Sequence, residues 1–243
     1  MQKYLVCPVA YNENVKLQNV IERLLRCSSR AELDFLIVDD GSTDGTSEMI
    51  ARYADRGVGT IKHPSRRGVG AAIRTAIEYG REKGYEAIVI MAGNDKDEPE
   101  EIPLLLAPIQ KDGFDVVQGS RYVSGQRTGG DMPFYRKIAT RLHPLLFSFF
   151  TGQRMTDTTN GFRAIRLKIF QDERIRLHQT WLDAYELEPY ILFKAVKLGY
   201  RVGEVPVTKI YPAKKLGYTK MKPIVGWWSI LRPLFFLGFG IKK

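Results

Sequence analysis

Along the first 120 residues, short apolar runs alternate with segments whose apolar positions recur at helical spacing. Residues 4–9 form a strand-like run, followed by the polar turn Asn12, Glu13 and Asn14. Val15, Leu17, Val20, Ile21, Leu24 and Leu25 then recur three and four residues apart, which predicts an amphipathic helix. Residues 34–39 are a second apolar run without polar alternation, the pattern of a strand covered on both faces. Asp44 is placed to cap a helix over 45–55. Residues 57–61 give a weaker third strand, and Ala72, Ile73, Ala76, Ile77 and Gly80 make one helical stripe over 69–83, stopped by Gly84. A fourth strand over 87–91, a helical region over 100–111 and a fifth strand over 114–118 complete the series. Repeated β-α units predict an α/β fold with a mostly parallel central sheet flanked by helices.

Ligands of such sheets sit beyond the carboxyl ends of the strands. Polar clusters fall at those places: Tyr11-Asn12-Glu13, then Asp39-Asp40-Gly41-Ser42, then Arg66-Arg67-Gly68 with Gly70, then Gly93 to Asp97. One such cluster is ordinary turn chemistry. Four on one edge point to a binding site.

Charge sharpens this picture. The 243 residues carry a formal net charge of +10, and the last 50 hold 11 Lys/Arg against a single acid, Glu204, so the whole excess lies there. Basic residues are not interleaved through a recognisable RNA or DNA module, which argues against nucleic acid as the partner. Cys7 and Cys27 form no CxxC pair, as suits a reducing compartment. The chain starts directly on a strand, so no secretory leader is expected. Zinc, Walker A and dinucleotide-binding patterns are missing from the sequence. His63, His143 and His178 are scattered and read as structural or surface residues.

The ordered motifs Pro8-Val-Ala-Tyr11-Asn12-Glu13, Val38-Asp39-Asp40-Gly41-Ser42-Thr43-Asp44-Gly45-Thr46, Arg67-Gly68-x-Gly70-x-Ala72 and Gly119-Ser120-Arg121-Tyr122 resemble those of family 2 glycosyltransferases of the GT-A fold. Asp157-x-Thr159-Asn160-Gly161-Phe162-Arg163 and Gly203-Glu204-Val205-Pro206-Val207 are similar to the branch that glycosylates polyprenyl or dolichyl phosphate. The resemblance implies a nucleotide-sugar donor and inversion at the anomeric carbon. It implies that Pro8, Tyr11 and Glu13 shape the nucleoside pocket and that Asp39 and Asp40 hold base or ribose. Gly68 and Gly70 would admit the diphosphate, with Arg66 or Arg67 supplying charge.

The family's Asp-x-Asp after the fourth strand is altered here to Ala92, Gly93 and Asn94, followed by Asp95, Lys96 and Asp97. Three readings stay open: a shifted Mg²⁺ or Mn²⁺ site using Asn94 with Asp95 or Asp97, catalysis leaning on Lys96 and arginines, or an inactive, sugar-nucleotide-binding partner. Sugar transfer develops negative charge on the leaving diphosphate, so the site needs metal or cations there. A hydroxyl acceptor also needs a general base, whereas a polyprenyl phosphate is already anionic and needs a cationic site. Arg121 and Arg163 are expected near phosphate, and Asp157 is expected to orient Arg163 or a metal-proximal loop. Lys214 and Lys220 lie in a segment similar to the family's Arg-x-x-Gly-x-Ser-Lys and would close over phosphates. For a glycan hydroxyl acceptor, Asp183, Glu186 or Glu188 would be the base.

Residues 1–222 thus read as the catalytic domain and 223–243 as an apolar, basic tail. Arg232 and Pro233 interrupt the tail, which suits two short interfacial helices on anionic lipid better than a membrane span. The apolar stretch 142–150 offers a second contact. Packing of both onto the body, a small membrane partner or a second copy of the chain is the alternative. The expected location is the cytoplasmic face of a membrane, peripheral or monotopic.

Overall fold

A computed structural model describes residues 4–27, 32–123, 128–130, 132, 134–211 and 223–243. The strands are β1 (Tyr4–Ala10), β2 (Leu33–Asp39), β3 (Val58–Lys62), β4 (Ala87–Ala92), β5 (Val116–Ser120), β6 (Thr128–Gly130), β7 (Arg163–Arg166), β8 (Val202–Pro206) and β9 (Lys209–Tyr211). The helices are α1 (Asn14–Arg26), α2 (Thr46–Ala51), α3 (Val69–Glu82), α4 (Ile102–Asp112), α5 (Phe134–Thr151), α6 (Leu187–Lys197) and α7 (Pro223–Gly238). Seven strands form one sheet in the order β3-β2-β1-β4-β7-β5-β8, and β6 pairs with β9 separately. Only β7 runs antiparallel in the large sheet, against both neighbours.

Period-two burial on the strands feeds two cores. Leu5 and Cys7 of β1 face a layer built from α3, α5, α6 and α7, with Ile73, Phe147, Ile191 and Leu234 buried there. Tyr4 and Val6 face the opposite layer of α1, α2 and α4, against Leu17, Ile50 and Leu105. The helix expected over 45–55 stops at Ala51, and a short 3-10 turn occupies Ala54–Arg56. Asp44 Oδ1 accepts the Thr46 N–H at 3.1 Å, so it does anchor that helix start. The fifth strand begins two residues later than expected. The Phe114 carbonyl, just before it, is claimed by Arg166 Nε at 3.0 Å.

The tail forms one helix through Pro233 instead of two short ones. Its inner face packs on the body: Phe150 of α5 stacks edge-on against Phe235 and Phe239 at 5.8 and 5.3 Å. Trp181 meets Phe236 at 5.7 Å, and Arg232 pairs with the buried Glu186 at 2.5 Å. The arginine that looked like an interruption is therefore an anchor. No helix among the described residues is long and apolar enough to cross a membrane.

Candidate active site

The carboxyl ends of β1, β2 and β4 open into a cleft of about 510 Å³. Asn12, in the left-handed region at φ 52°, ties its two nearest loops together. Its N–H donates to Ser42 Oγ and its Oδ1 accepts the Thr43 N–H, both at 2.8 Å. Asp39 is fully buried and borders no part of the cleft. Its carboxylate accepts the Ser42 N–H at 3.0 Å and the Ser47 hydroxyl, so it builds the turn instead of meeting a base or ribose. Pro8 likewise lies inside β1, with Val9 and Ala10 reaching the cleft in its place.

Asp40 does line the cleft and holds the loop beyond β3. It accepts the Arg67 and Gly68 N–H groups at 2.8 Å each and lies 2.8 Å from His63 Nδ1. Of the two arginines, Arg66 borders the cleft, its guanidinium 4.4 Å from the Tyr11 ring centroid, while the Arg67 side chain is exposed outside it. Glu13 lines the same wall beside Lys16, 3.3 Å away. Gly68 also borders the cleft, at φ 111°, but the space a Cβ would take is filled by Asp183 O at 2.3 Å. At Gly70 the obstacle is Leu182 O at 2.0 Å. These glycines admit the 182–184 backbone, and Ala71 N–H donates to Asp183 O at 3.1 Å to seal the contact.

The loop after β4 does not gather the expected metal ligands. Asn94 lines the cleft, and its buried Oδ1 has no hydrogen-bond partner among the described residues. Asp95 points away to Arg23 at 3.4 Å and Asn19 at 3.3 Å. Asp97 is fully buried; one oxygen meets Lys209 Nζ at 2.5 Å and the other accepts the Ala92 N–H at 3.2 Å. Among the described residues there is no group of three His, Cys, Asp or Glu side chains placed to hold a metal. One neutral carbonyl oxygen beside a lysine does not match the hard, anionic oxygen set that Mg²⁺ or Mn²⁺ seeks. Lys96 occupies that wall instead. Burial, then the nearby cations Lys209, Arg136 and Lys16, push its ammonium down to about 7.

Arg121 and Asp157 form a buried bidentate pair at 2.6 and 2.8 Å. Arg121 also donates to Tyr211 Oη at 2.9 Å and Thr159 Oγ1 at 2.6 Å. Burial alone would raise the Asp157 carboxyl, but the adjoining guanidinium prevails and holds it below the usual carboxylate range. Asp157 therefore orients Arg121, not Arg163. Arg163 is itself buried away from the cleft, donating to Asn160 O at 2.6 Å and Glu188 O at 3.1 Å. It lies 3.4 Å from the Glu188 carboxylate, which does line the cleft. Asp183 and Glu186 are absent from the lining, held by Arg74 and Arg232. Lys214 and Lys220 lie outside the described residues.

Several wall residues are not assigned to the site by the sequence: Lys16, Arg136, Lys209, Tyr211 and Trp227, the last of which reads there as a membrane-facing residue of the tail. Lys209 and Tyr211 alternate on β9, a strand too short to declare itself, and Arg136 and Trp227 sit on helices that read simply as apolar. Arg136 Nε and Trp227 Nε1 are buried donors with no hydrogen-bond partner among the described residues. The cations that line the cleft, together with these donors, suit an anionic ligand.

The sequence pattern of the family described as Glycosyl transferase family 2 matches residues 6–174. The chain is 31% identical over 224 residues to the polyprenol monophosphomannose synthase of Mycolicibacterium smegmatis, covering 90% of this chain and 81% of that protein. It is 32% identical over 218 residues to the undecaprenyl-phosphate mannosyltransferase of Micrococcus luteus, covering 87% and 84%. Glucosyl-3-phosphoglycerate synthase from Mycobacterium tuberculosis, solved with Mn²⁺, UDP and glucosyl-3-phosphoglycerate, shares the fold at TM-score 0.69 and 17% identity, covering 100% of this chain and 81% of that one.

Proposed function

Because this chain belongs to glycosyltransferase family 2 and is a glycosyltransferase of GT-A-like fold, we propose that it moves a hexose, mannose or glucose, from a GDP- or UDP-sugar to a polyprenyl phosphate with inversion. The observation that carries this reading is the pair of unfilled donors, Arg136 Nε and Trp227 Nε1, where the cleft meets α5 and α7. Buried donors without partners are costly unless a ligand supplies the acceptor oxygen. A phosphate fits, since it brings several acceptor oxygens and needs no base to become a nucleophile.

The lipid tail of such an acceptor has a natural neighbour. Leu142, Leu145 and Phe149 on α5, Val225 and Trp228 on α7, and Phe239 and Ile241 just after it are all exposed, followed by Lys242 and Lys243. An apolar ridge ending in lysines suits the interface of an anionic membrane, where the protein would sit peripherally on the cytoplasmic face. A glycan hydroxyl would instead need a free carboxylate, and Glu188 is paired with Arg163. The nucleoside end would lie against Tyr11, Glu13 and Arg66. Residues 1–222 would carry catalysis, with 223–243 serving as both cleft wall and membrane face.

Kinetics with a short-chain polyprenyl phosphate in detergent test the assignment. Trp227→Phe and Arg136→Ala should raise the acceptor KM several-fold and leave nucleoside-diphosphate affinity within about twofold. Unchanged acceptor KM in both variants would reject this phosphate site.

A further inference from the structure

A positive side chain stands in the loop after β4, where the described residues gather no cluster of metal ligands. Ala92 offers only a methyl group, Asp95 is turned outward to Arg23, and both oxygens of Asp97 are committed inside the protein. Lys96 is 5% exposed, lines the cleft and places its Nζ 5.6 Å from the Tyr211 ring centroid. Its backbone is held by β9, whose Ile210 N–H donates to Lys96 O at 3.0 Å, while the antiparallel bridge between Asp97 and Lys209 fixes the next turn. The Asn94 Oδ1 atom of this loop, without a hydrogen-bond partner among the described residues, is an acceptor suited to a sugar or ribose hydroxyl.

We propose that Lys96 is a catalytic residue that takes the place of the divalent metal, its ammonium binding the donor diphosphate and stabilising it as it leaves. The assignment rests on the nucleotide-sugar donor proposed above. An acceptor phosphate oxygen attacks the anomeric carbon and forms the new C1–O bond. The bond from C1 to the diphosphate oxygen breaks, and its electron pair stays on that oxygen. No proton moves once the donor is bound: the acceptor arrives anionic, the nucleoside diphosphate departs with one more negative charge, and the anionic diphosphate beside Lys96 keeps it an ammonium. A fixed cation at the leaving oxygen acts on the charge that develops in the transition state, which is where electrostatic catalysis is strongest.

Calorimetric binding of UDP and of GDP, each with EDTA and with Mn²⁺ or Mg²⁺, tests the proposal on the wild-type chain. Affinity for the nucleotide that binds should differ by less than about threefold between chelator and metal. In EDTA, Lys96→Ala should weaken binding at least tenfold and Lys96→Arg should restore most of it. Turnover of Lys96→Ala should fall about 100-fold, the scale for removing one group that stabilises developing charge. Binding that requires metal, or Lys96→Ala binding as tightly as wild type in EDTA, overturns the role of Lys96 and leaves the donor class standing. Binding of neither nucleotide under any condition overturns both. The chelator comparison uses the unaltered chain, so it decides the matter even if a variant fails to fold.

Discussion

Replacing Asp157 with alanine would leave the Arg121 guanidinium charged, buried and without its carboxylate. The Arg121 and Asp157 side chains are 3% and 0% exposed, and the carboxylate takes two guanidinium donors as well as the Arg121 backbone N–H. Removing one partner of such a pair costs about 3–5 kcal/mol, because the remaining ion has been stripped of water and gets nothing in return. Tyr211 and Thr159 still touch the guanidinium, which places the expectation nearer 3 than 5. For a chain of this size that corresponds to roughly 6–12 °C in melting temperature. Urea unfolding of wild type, Asp157→Ala and the double variant Asp157→Ala/Arg121→Met would measure it, with the double variant recovering much of the loss. Because the folded Asp157 carboxyl sits below its unfolded value, its contribution is present above pH about 4 and disappears as pH falls through the folded value. Wild type and Asp157→Ala should therefore converge in strong acid. A loss under 1 kcal/mol at pH 7, or a difference that persists unchanged in acid, would refute the buried-pair reasoning.

Gly70→Ala puts a methyl 2.0 Å from Leu182 O, so thermal unfolding should show a loss of several degrees; wild-type stability would contradict the close packing of 182–184 on α3. His143 is held neutral, burial pushing its pKa down to about 4 while Nε2–H donates to Ile230 O at 3.2 Å. The unfolded chain takes up that proton near pH 6.5, so stability should fall by about 3 kcal/mol as pH drops from 6.5 to 4. Urea unfolding across this range should show a flatter slope in His143→Gln. Phe149→Asp with Trp228→Asp removes two exposed aromatics, each contributing about 1.5–3 kcal/mol if buried in lipid, and should cut sedimentation with anionic vesicles at least tenfold. Deleting 223–243 outright is a poorer test, since it would also uncover Glu186 and the core around Leu234.

Much of this was legible in the chain. The buried strands β1, β2 and β4 and the stripe of α3 are written in runs and spacings that burial on a covered sheet demands. β7 was not, because its four residues begin and end on arginine; Arg163 and Arg166 are neutralised by Glu188 and Glu86, partners 25 and 80 positions away. The same blindness affected the tail, where Arg232 and Pro233 looked like a break and Glu186 makes the arginine an anchor. At the site, the loops after β1, β2, β3 and β4 that stand out in the sequence do border one cleft. Within them neighbours part company, since Asp39 and Asp40 are adjacent but one is held inside a turn while the other lines the cleft. Gly68 and Gly70 mark a close approach, and in the fold the approaching group is the protein's own backbone. Lys96 was visible as a cation in an altered motif; its burial against Tyr211 and the diversion of both neighbouring aspartates were not.

The most direct test is a matrix of GDP- and UDP-hexoses against a short polyprenyl phosphate and free glycans, with product mass read for each pair. Transfer to polyprenyl phosphate should give a product one hexose heavier than the acceptor, with no glycan elongated. A glycan product without any lipid-linked hexose would contradict the account.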